Sequence, residues 1–224
     1  MSQELADGLP LEELKKEGFE PTTILDIGAY VGEFYQLANL IWPESVIWSI
    51  EANTHCDKIL ANVFARQNKP YDKYFIKLLS DEDYKKVDYY MNLNQSGLIN
   101  AGHSYYKENT KSYEGDRLVV EQRFTEKLDS MFDEETEFEF IKIDTQGSEL
   151  DILRGGKNLV KKAKVILLEV ALVEYNENAP LKDEVLQFMN DYGFTKHKVI
   201  TERTSKHFPG QIVQQDILFY NEKI

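Results

Sequence analysis

The sequence predicts an α/β fold: a doubly wound, mostly parallel seven-stranded sheet with an antiparallel C-terminal strand. Short runs rich in β-branched residues alternate with amphipathic helical segments, which is typical of a parallel sheet with right-handed crossovers. The first run ends in a glycine turn that opens a helix. The last connection, 201–215, has no helical pattern, so the final strand is expected to pair antiparallel with its predecessor.

An N-terminal helical leader, residues 1–22, is predicted before the main domain. Pro10 near the start and Gly18 near the end of the periodic stretch predict a short helix over 10–17. Residues 23–224 are expected to form one domain. Its first half is predicted to contain strand 24–27, helix 31–41, strand 46–50, helix 54–67 and strand 73–79.

The second half begins with a less regular stretch. Extended segments at 84–91 and 118–124 are expected to pair, and the polar loop between them, about 92–117, is interpreted as a variable insertion and a lid over a substrate site. The pair Gly155-Gly156 should interrupt a helix over 148–161. The remaining predicted elements are helix 125–132, strand 138–143, strand 164–170, helix 181–191, strand 194–200 and strand 216–221.

Composition narrows the possible partners and the compartment. The formal net charge of −13 disfavours a phosphate backbone or an anionic membrane surface, so neither nucleic acid nor a membrane is expected as a partner. A single cysteine, Cys56, excludes an internal disulfide. No apolar run approaches the length of a membrane span, and the first residues lack the apolar core of a signal peptide, so we expect a cytoplasmic protein.

The turn after the first strand carries a cofactor-type motif, Asp26-x-Gly28-x-x-x-Gly32, followed by Glu51 at the end of the next strand. A dinucleotide site would require G-x-G-x-x-G. An acid before the first glycine instead suits a cofactor with an ammonium group and no phosphate, and a carboxylate such as Glu51 can accept hydrogen bonds from a ribose. S-adenosyl-L-methionine has these groups. The alternative is an ordinary strand–turn–helix with an acidic cap. The candidate cofactor-binding residues here are Asp26, Gly28, Ala29, Tyr30, Gly32, Glu51 and Ala52.

Several blocks together resemble a known family, the FkbM-like class I S-adenosylmethionine-dependent methyltransferases, over roughly residues 22–221. The most specific is Ile141–Leu150 with Leu153–Gly156. The other matching blocks are Leu25–Ala29 with Gly32 and Phe34, Ile50–Asn53, Leu79–Asp81, Ser96–Leu98, Leu167–Val170 and Asp216–Phe219. The resemblance implies the Rossmann-like class I methyltransferase fold, this cofactor, and a sugar or other small hydroxylated molecule as acceptor.

The chain departs from the family pattern at two positions. Ala52 stands where the family usually has Pro, which changes turn stiffness. Gln146 stands where the family usually has Glu, so a carboxylate is missing beside the expected reaction centre.

Four further residues are candidates for the site. Asp144 ends a strand at the expected active edge, where it could orient or deprotonate a substrate hydroxyl or only bond to the following turn. His103 could act as a base or be a solvated loop histidine. Ser80 and Asp81 follow the third strand and are expected to contact adenine, or to form a polar turn. No histidine has the spacing of metal ligands, so no metal is predicted.

The sequence is compatible with three functional classes. The leading hypothesis is an O-methyltransferase that positions a hydroxyl against the methyl donor. A nicotinamide-dependent short-chain-type oxidoreductase would need a Tyr-x-x-x-Lys pair on one helix face, and only Tyr192 and Lys196 have that spacing, with Gly193 between them. The third class is a cofactor-binding protein without turnover, for which Gln146 is the suggestive feature.

Overall fold

The computed structural model describes residues 3–92, 102–110 and 118–223, with side chains from residue 9 onward. The helices are α1 Gln3–Lys16, α2 Glu33–Ile41, α3 Asp57–Gln67, α4 Leu128–Met131, α5 Glu149–Gly155, α6 Lys157–Val160 and α7 Lys182–Asp191. The strands are β1 Thr23–Ile27, β2 Val46–Glu51, β3 Lys73–Ile76, β4 Lys86–Asn92, β5 Leu118–Phe124, β6 Phe140–Ile143, β7 Val165–Ala171, β8 Lys196–Ser205 and β9 Phe208–Tyr220.

Seven strands form one sheet in the order β3-β2-β1-β6-β7-β9-β8. The first five are mutually parallel, and β9 pairs antiparallel with both β7 and β8. The predicted fold class is therefore confirmed. The chain order reverses between β1 and β6, which makes the carboxyl ends of these two strands the topological switch point, where α/β sheets bind their ligands.

Helices cover both faces of the sheet. One apolar cluster joins α1 and α2 to the sheet, through Leu11, Tyr35 and Phe140 among others. A second cluster on the other face includes Leu150, Leu153 and Met189 from α5 and α7. Leu11 in the leader is 0% exposed, so the leader helix packs into the same core as the sheet.

The structure corrects three element boundaries. Helix α1 begins at Gln3 and has Pro10 inside it, rather than beginning near Pro10. Strand β3 ends at Ile76 rather than at Leu79. The last two strands were predicted at 194–200 and 216–221, but β8 and β9 continue into the connection 201–215 as a long hairpin. The side chains of this stretch are mostly polar, so it lacks the alternation of apolar and polar residues that predicts a strand. A strand at the edge of a sheet need not show that alternation.

The predicted pairing of the two extended segments is confirmed, because β4 and β5 form an antiparallel hairpin from Lys86↔Phe124 to Asn92↔Leu118. Most of the predicted insertion at 92–117 lies outside the described residues, namely 93–101 and 111–117. Its middle, 102–110, is described and contacts both β4 and the connection after β7. Over the described residues, no helix combines the length and apolarity needed to cross a membrane.

Candidate active site

A cavity of about 890 Å³ opens at the carboxyl ends of β1, β2, β6 and β7. It lies at the switch point of the sheet, where the fold predicts a ligand. Seven of the residues predicted from the sequence to form the site line this cavity: Gly28, Ala29, Tyr30, Glu51, Ala52, His103 and Asp144. Four predicted residues do not line it: Asp26, Gly32, Ser80 and Asp81.

The turn after β1 passes very close to the end of β6. Gly28 has a φ of +82°, and a Cβ there would lie 1.8 Å from the carbonyl oxygen of Asp144. Only glycine allows this approach. Gly32, with a φ of +85°, instead faces α3, where a Cβ would meet Val63 at 3.2 Å. Gly32 therefore shapes the turn from outside the cavity.

Glu51 is anchored by two backbone amides. Its Oε2 accepts a hydrogen bond from the N–H of Tyr30 at 2.6 Å, and its Oε1 accepts one from the N–H of Asn53 at 2.7 Å. Burial raises the pKa of Glu51, while the two amides oppose that change. Each carboxylate oxygen retains further acceptor capacity, which suits a pair of ribose hydroxyls.

Asp26 forms a buried ion pair with Lys142. Its carboxylate is fully buried, with Oδ1 3.3 Å from Lys142 Nζ, and Ser49 Oγ donates to Oδ2 at 3.3 Å. The lysine also donates to the carbonyl oxygen of Gly28 at 3.0 Å. Burial by itself lowers the pKa of Lys142, but the charges of Asp26 and Asp144 outweigh it and raise that pKa to about 12. A positive charge therefore lines the cavity directly beneath the glycine turn.

Asp144 follows β6, and its backbone N–H donates to Ile27 at 3.0 Å, which joins it to the end of β1. Its Oδ2 lies 3.9 Å from Lys142 Nζ. Gln146, which has a φ of +58°, donates its side-chain amide to Asp144 Oδ1 at 3.1 Å and to Glu169 Oε2 at 2.5 Å. The side-chain amide thus links two carboxylates that line one cavity.

Glu149, not Ser148 or Asp151, caps the turn after Asp144. The spacing Ser148-x-x-Asp151 is typical of a helix cap, but the Ser148 side chain makes no capping hydrogen bond. Glu149 accepts hydrogen bonds from the N–H groups of Thr145 at 2.8 Å and Gly147 at 3.0 Å. Burial raises the pKa of Glu149 to about 7. Because Glu149 accepts the hydrogen bonds of these turn amides, the side chain of Asp144 is not needed to cap the turn and can face the cavity.

An ion-pair network forms the side of the cavity near β7, β8 and β9. Arg203 donates to Glu169 at 2.9 Å and to Asp216 at 2.7 Å. Gln214 donates to Glu169 Oε2 at 3.1 Å. Burial raises the pKa of Glu169, as does the nearby charge of Asp144, while Arg203 opposes the change.

His103 lies at the Glu51 side of the cavity. Its Nδ1 is 2.9 Å from Asn53 Nδ2, and its Nε2 is 3.3 Å from the carbonyl oxygen of Asn92. An Nε2–H tautomer satisfies both contacts, with Nδ1 as acceptor. Burial lowers the pKa of His103, which favours the neutral ring. Both ring nitrogens therefore have protein partners.

Ser80 and Asp81 lie behind the cavity wall. Ser80 is fully buried, and its Oγ is 3.1 Å from the hydroxyl of Tyr105. Asp81 is exposed and lies 3.5 Å from Lys85. Lys77 and Leu78, just before them, do line the cavity. Because β3 ends early, the chain has turned away from the cavity by the time it reaches Ser80.

Sequence reasoning did not select Lys142, Glu169 and Arg203 as site residues. The signal for the first two was present, because each is a charged residue inside an otherwise apolar buried strand, which needs a compensating partner. Arg203 left no such signal, since it lies in a polar stretch whose register only the long hairpin reveals.

The donor set fits S-adenosyl-L-methionine. Glu51 would hold the ribose hydroxyls, and the turn from Gly28 to Tyr30 would approach the amino-acid portion without a phosphate-binding array of amides. The pair required by an oxidoreductase is not assembled on one helix face, because Tyr192 directly follows α7 while Lys196 begins β8.

Comparisons with known proteins identify the family and the fold of this chain. The family model described as methyltransferase FkbM domain matches residues 26–196. No curated protein matches the chain at a significant level. Among solved structures, the N-terminal domain of EvdMO1 with SAH bound has a TM-score of 0.57 at 12% identity, with 99% of this chain and 83% of that chain covered.

Two further structures share the fold. The same EvdMO1 domain in the presence of SAH and D-fucose has a TM-score of 0.55 at 12% identity, covering 98% of this chain and 84% of that one. A precorrin-6y C5,15-methyltransferase from Geobacter metallireducens has a TM-score of 0.51 at 14% identity, covering 97% and 87%. The chain spans 40% of the longer EvdMO1 structure. The match over residues 26–196 makes this chain a member of the FkbM methyltransferase family, whose cofactor is S-adenosyl-L-methionine.

Proposed function

We propose that this methyltransferase transfers the methyl group to a hydroxyl oxygen of a sugar or another small hydroxylated molecule. The observation that carries the proposal is that one cavity contains both Glu51, suited to the cofactor, and Asp144, suited to an acceptor. A volume of about 890 Å³ is near the upper end of the range for small-ligand sites, so an acceptor has room beside the cofactor.

Asp144 is the group that would handle the acceptor proton. The cofactor, when bound, supplies a methyl group carried on a positively charged sulfur. Asp144 would accept a hydrogen bond from the acceptor hydroxyl, which directs the oxygen. It would take the proton as the carbon–oxygen bond forms and the bond between the methyl carbon and the cofactor sulfur breaks, which leaves a neutral thioether. Gln146 restrains the carboxylate through Oδ1, so that Oδ2 can hold the hydroxyl. His103 is a weaker candidate for this role, because both of its ring nitrogens already have protein partners.

A hydroxyl-rich acceptor suits the other end of the cavity. Glu169 and Asp216 offer acceptor oxygens and Arg203 offers donors, the mixture that several neighbouring hydroxyls can satisfy. The EvdMO1 domain studied in the presence of SAH and D-fucose supports a sugar as the first acceptor to test.

A methyl-transfer screen with labelled cofactor tests the proposal. The panel contains sugars, nucleosides and small hydroxylated metabolites, and mass spectrometry locates the added methyl group. We expect at least one O-methylated product. Methylation only at nitrogen or carbon would overturn the choice of oxygen. Cofactor binding without transfer to any acceptor would support the alternative of a binding protein without turnover.

A further inference from the structure

The cavity continues beyond the polar site as an apolar trough. Phe34, Leu37 and Leu40 project into it from α2 at intervals of three residues, so they form one face of that helix. Leu167 of β7 and Ile200 of β8 line the same cavity. We call these five residues the apolar trough.

The trough begins beside the reacting groups. Lys142 Nζ, which lies 3.9 Å from Asp144, is 5.6 Å from the centre of the Phe34 ring. Along β7, Leu167 and Glu169 are two residues apart and therefore on one face of the sheet. From Glu169 to Leu167, the lining of the cavity therefore changes from charged to apolar.

The far end of the trough is open. Leu40 lies six positions after Phe34, which is about 9 Å along the helix at 1.5 Å per residue. Leu40 is 80% exposed in the described part of the chain. Leu40 continues the apolar lining of Phe34 and Leu37 to the protein surface, and a contiguous exposed apolar patch of this kind is typical of a ligand-binding groove.

The cofactor does not account for this lining. Its expected ribose contact, Glu51, and the neighbouring Ala52 lie at the end of β2, on the opposite side of β1 from β7 and β8. The trough therefore belongs to the acceptor side of the cavity.

We infer that the acceptor is amphipathic: a hydroxylated head group lies at Asp144, Glu169 and Arg203, and a linear apolar substituent of about 9 Å lies along the apolar trough. This inference rests on the proposed function, because it assumes that the cavity receives a hydroxylated acceptor. Free sugars would then bind weakly, and the same sugars carrying an alkyl chain would bind well.

Calorimetry with alkyl glucosides tests the trough without turnover. Methyl, butyl and octyl β-D-glucoside are titrated, below their micelle concentrations, into the protein saturated with S-adenosyl-L-homocysteine. Each methylene that leaves water strengthens binding by up to about fourfold, so we expect octyl glucoside to bind at least about tenfold more tightly than methyl glucoside.

Two variants test whether the tighter binding of octyl glucoside depends on the apolar trough. Leu40→Gln should reduce the octyl advantage by at least about threefold, because it makes the mouth of the trough polar. Ile59→Gln is the matched control, since Ile59 is a 45% exposed aliphatic residue on α3 that does not line the cavity, and it should leave the advantage unchanged.

Three results would overturn the inference: no binding of octyl glucoside, equal affinity for the octyl and methyl forms, or an octyl advantage that survives Leu40→Gln. These results are independent of the methyl-transfer screen. A protein that binds octyl glucoside in the trough but methylates no hydroxyl would retain the trough and lose the proposed function.

Discussion

Gln146 donates its side-chain amide to both Asp144 and Glu169. The glutamate that the family usually has at this position would place a third carboxylate within about the same distances, and like charges so close cannot all remain ionised. The amide instead donates one hydrogen bond to each of these two acidic side chains and adds no charge between them. The departure from the family pattern that the sequence revealed at Gln146 has a physical role in this chain.

Glu51→Ala should weaken binding of S-adenosyl-L-homocysteine by about tenfold or more. The change removes a charged acceptor from a buried site, which costs about 1.5–3 kcal/mol. It also frees the amides of Tyr30 and Asn53. Calorimetry measures the effect, with the exposed Glu44→Ala as control. Equal affinity of the wild type and Glu51→Ala would place the ribose elsewhere.

Asp144→Asn should lower kcat at least tenfold while cofactor affinity changes less than threefold. The substitution keeps the shape of the side chain and removes the group that accepts the proton, a loss of about 1.4 kcal/mol or more in the transition state. Steady-state kinetics on the best acceptor of the screen, together with calorimetry, separates the two effects. Wild-type turnover in Asp144→Asn would move the role of base to His103.

The turn between β6 and α5 depends on one buried acid, so its stability should depend on pH. Glu149 has a pKa of about 7 in the folded protein, above its ordinary value of 4.5. The folded state then binds more protons than the unfolded state between these values, and the free energy of unfolding falls as pH rises from about 4.5 to about 7. The shift corresponds to about 3 kcal/mol in order of magnitude.

Urea unfolding of the wild type and Glu149→Gln between pH 5 and 8 tests this. The uncharged variant should lose less stability than the wild type over that window. Burial also raises the pKa of Glu169, and the charge of Glu149 adds to that change, so the difference between the two curves measures Glu149 together with its effect on Glu169. Parallel curves would show that Glu149 is ionised throughout.

The β1–α2 turn packs directly against the end of β6, so adding a methyl group between them should lower the free energy of unfolding. Gly28→Ala places a Cβ 1.8 Å from the carbonyl of Asp144, at a φ of +82°. Gly18→Ala is the matched control, because its φ is +94° and a Cβ there meets nothing within 4 Å. A left-handed alanine costs roughly 1–2 kcal/mol, so Gly18→Ala should lose about that much and Gly28→Ala at least twice as much. Denaturant unfolding that finds equal losses would contradict the close packing.

At the scale of the whole molecule, segment 102–110 passes above the cavity and connects the two halves of the sheet. Tyr105 and Tyr106 both donate their hydroxyls to Asp151, at 2.8 and 2.6 Å. At its other end, Glu108 accepts a hydrogen bond from Tyr175 at 3.0 Å. The segment therefore joins the first half of the chain to α5 and to the connection after β7. It is the described part of the loop that the sequence predicts to be a lid.

The double variant Tyr105→Phe, Tyr106→Phe should raise the KM for the acceptor at least threefold and leave cofactor affinity within about twofold. It removes both hydrogen bonds to Asp151 and the contact between Tyr105 and Ser80 while keeping both rings, so the segment is held less firmly. Tyr71→Phe is the control, since Tyr71 is 74% exposed and does not line the cavity. An unchanged KM would show that the segment does not control acceptor entry.

The sequence by itself determined the fold class, the order of most elements and the turn from Asp26 to Gly32. These features follow from local periodicity, glycine positions and strand ends, which neighbouring residues encode together. The same local signals led to the prediction that Glu51 and Asp144 occupy ends of nearby strands.

Only the tertiary structure decided which predicted residues line the cavity. Asp26 is separated from it by Lys142, and Ser80 lies behind its wall, because strand register and the short β3 turn these side chains away. Arg203 reaches Glu169 only through the pairing of β7, β9 and β8, which joins residues 34 positions apart. Contacts of this kind depend on which strands become neighbours, and no local pattern in the sequence records that choice.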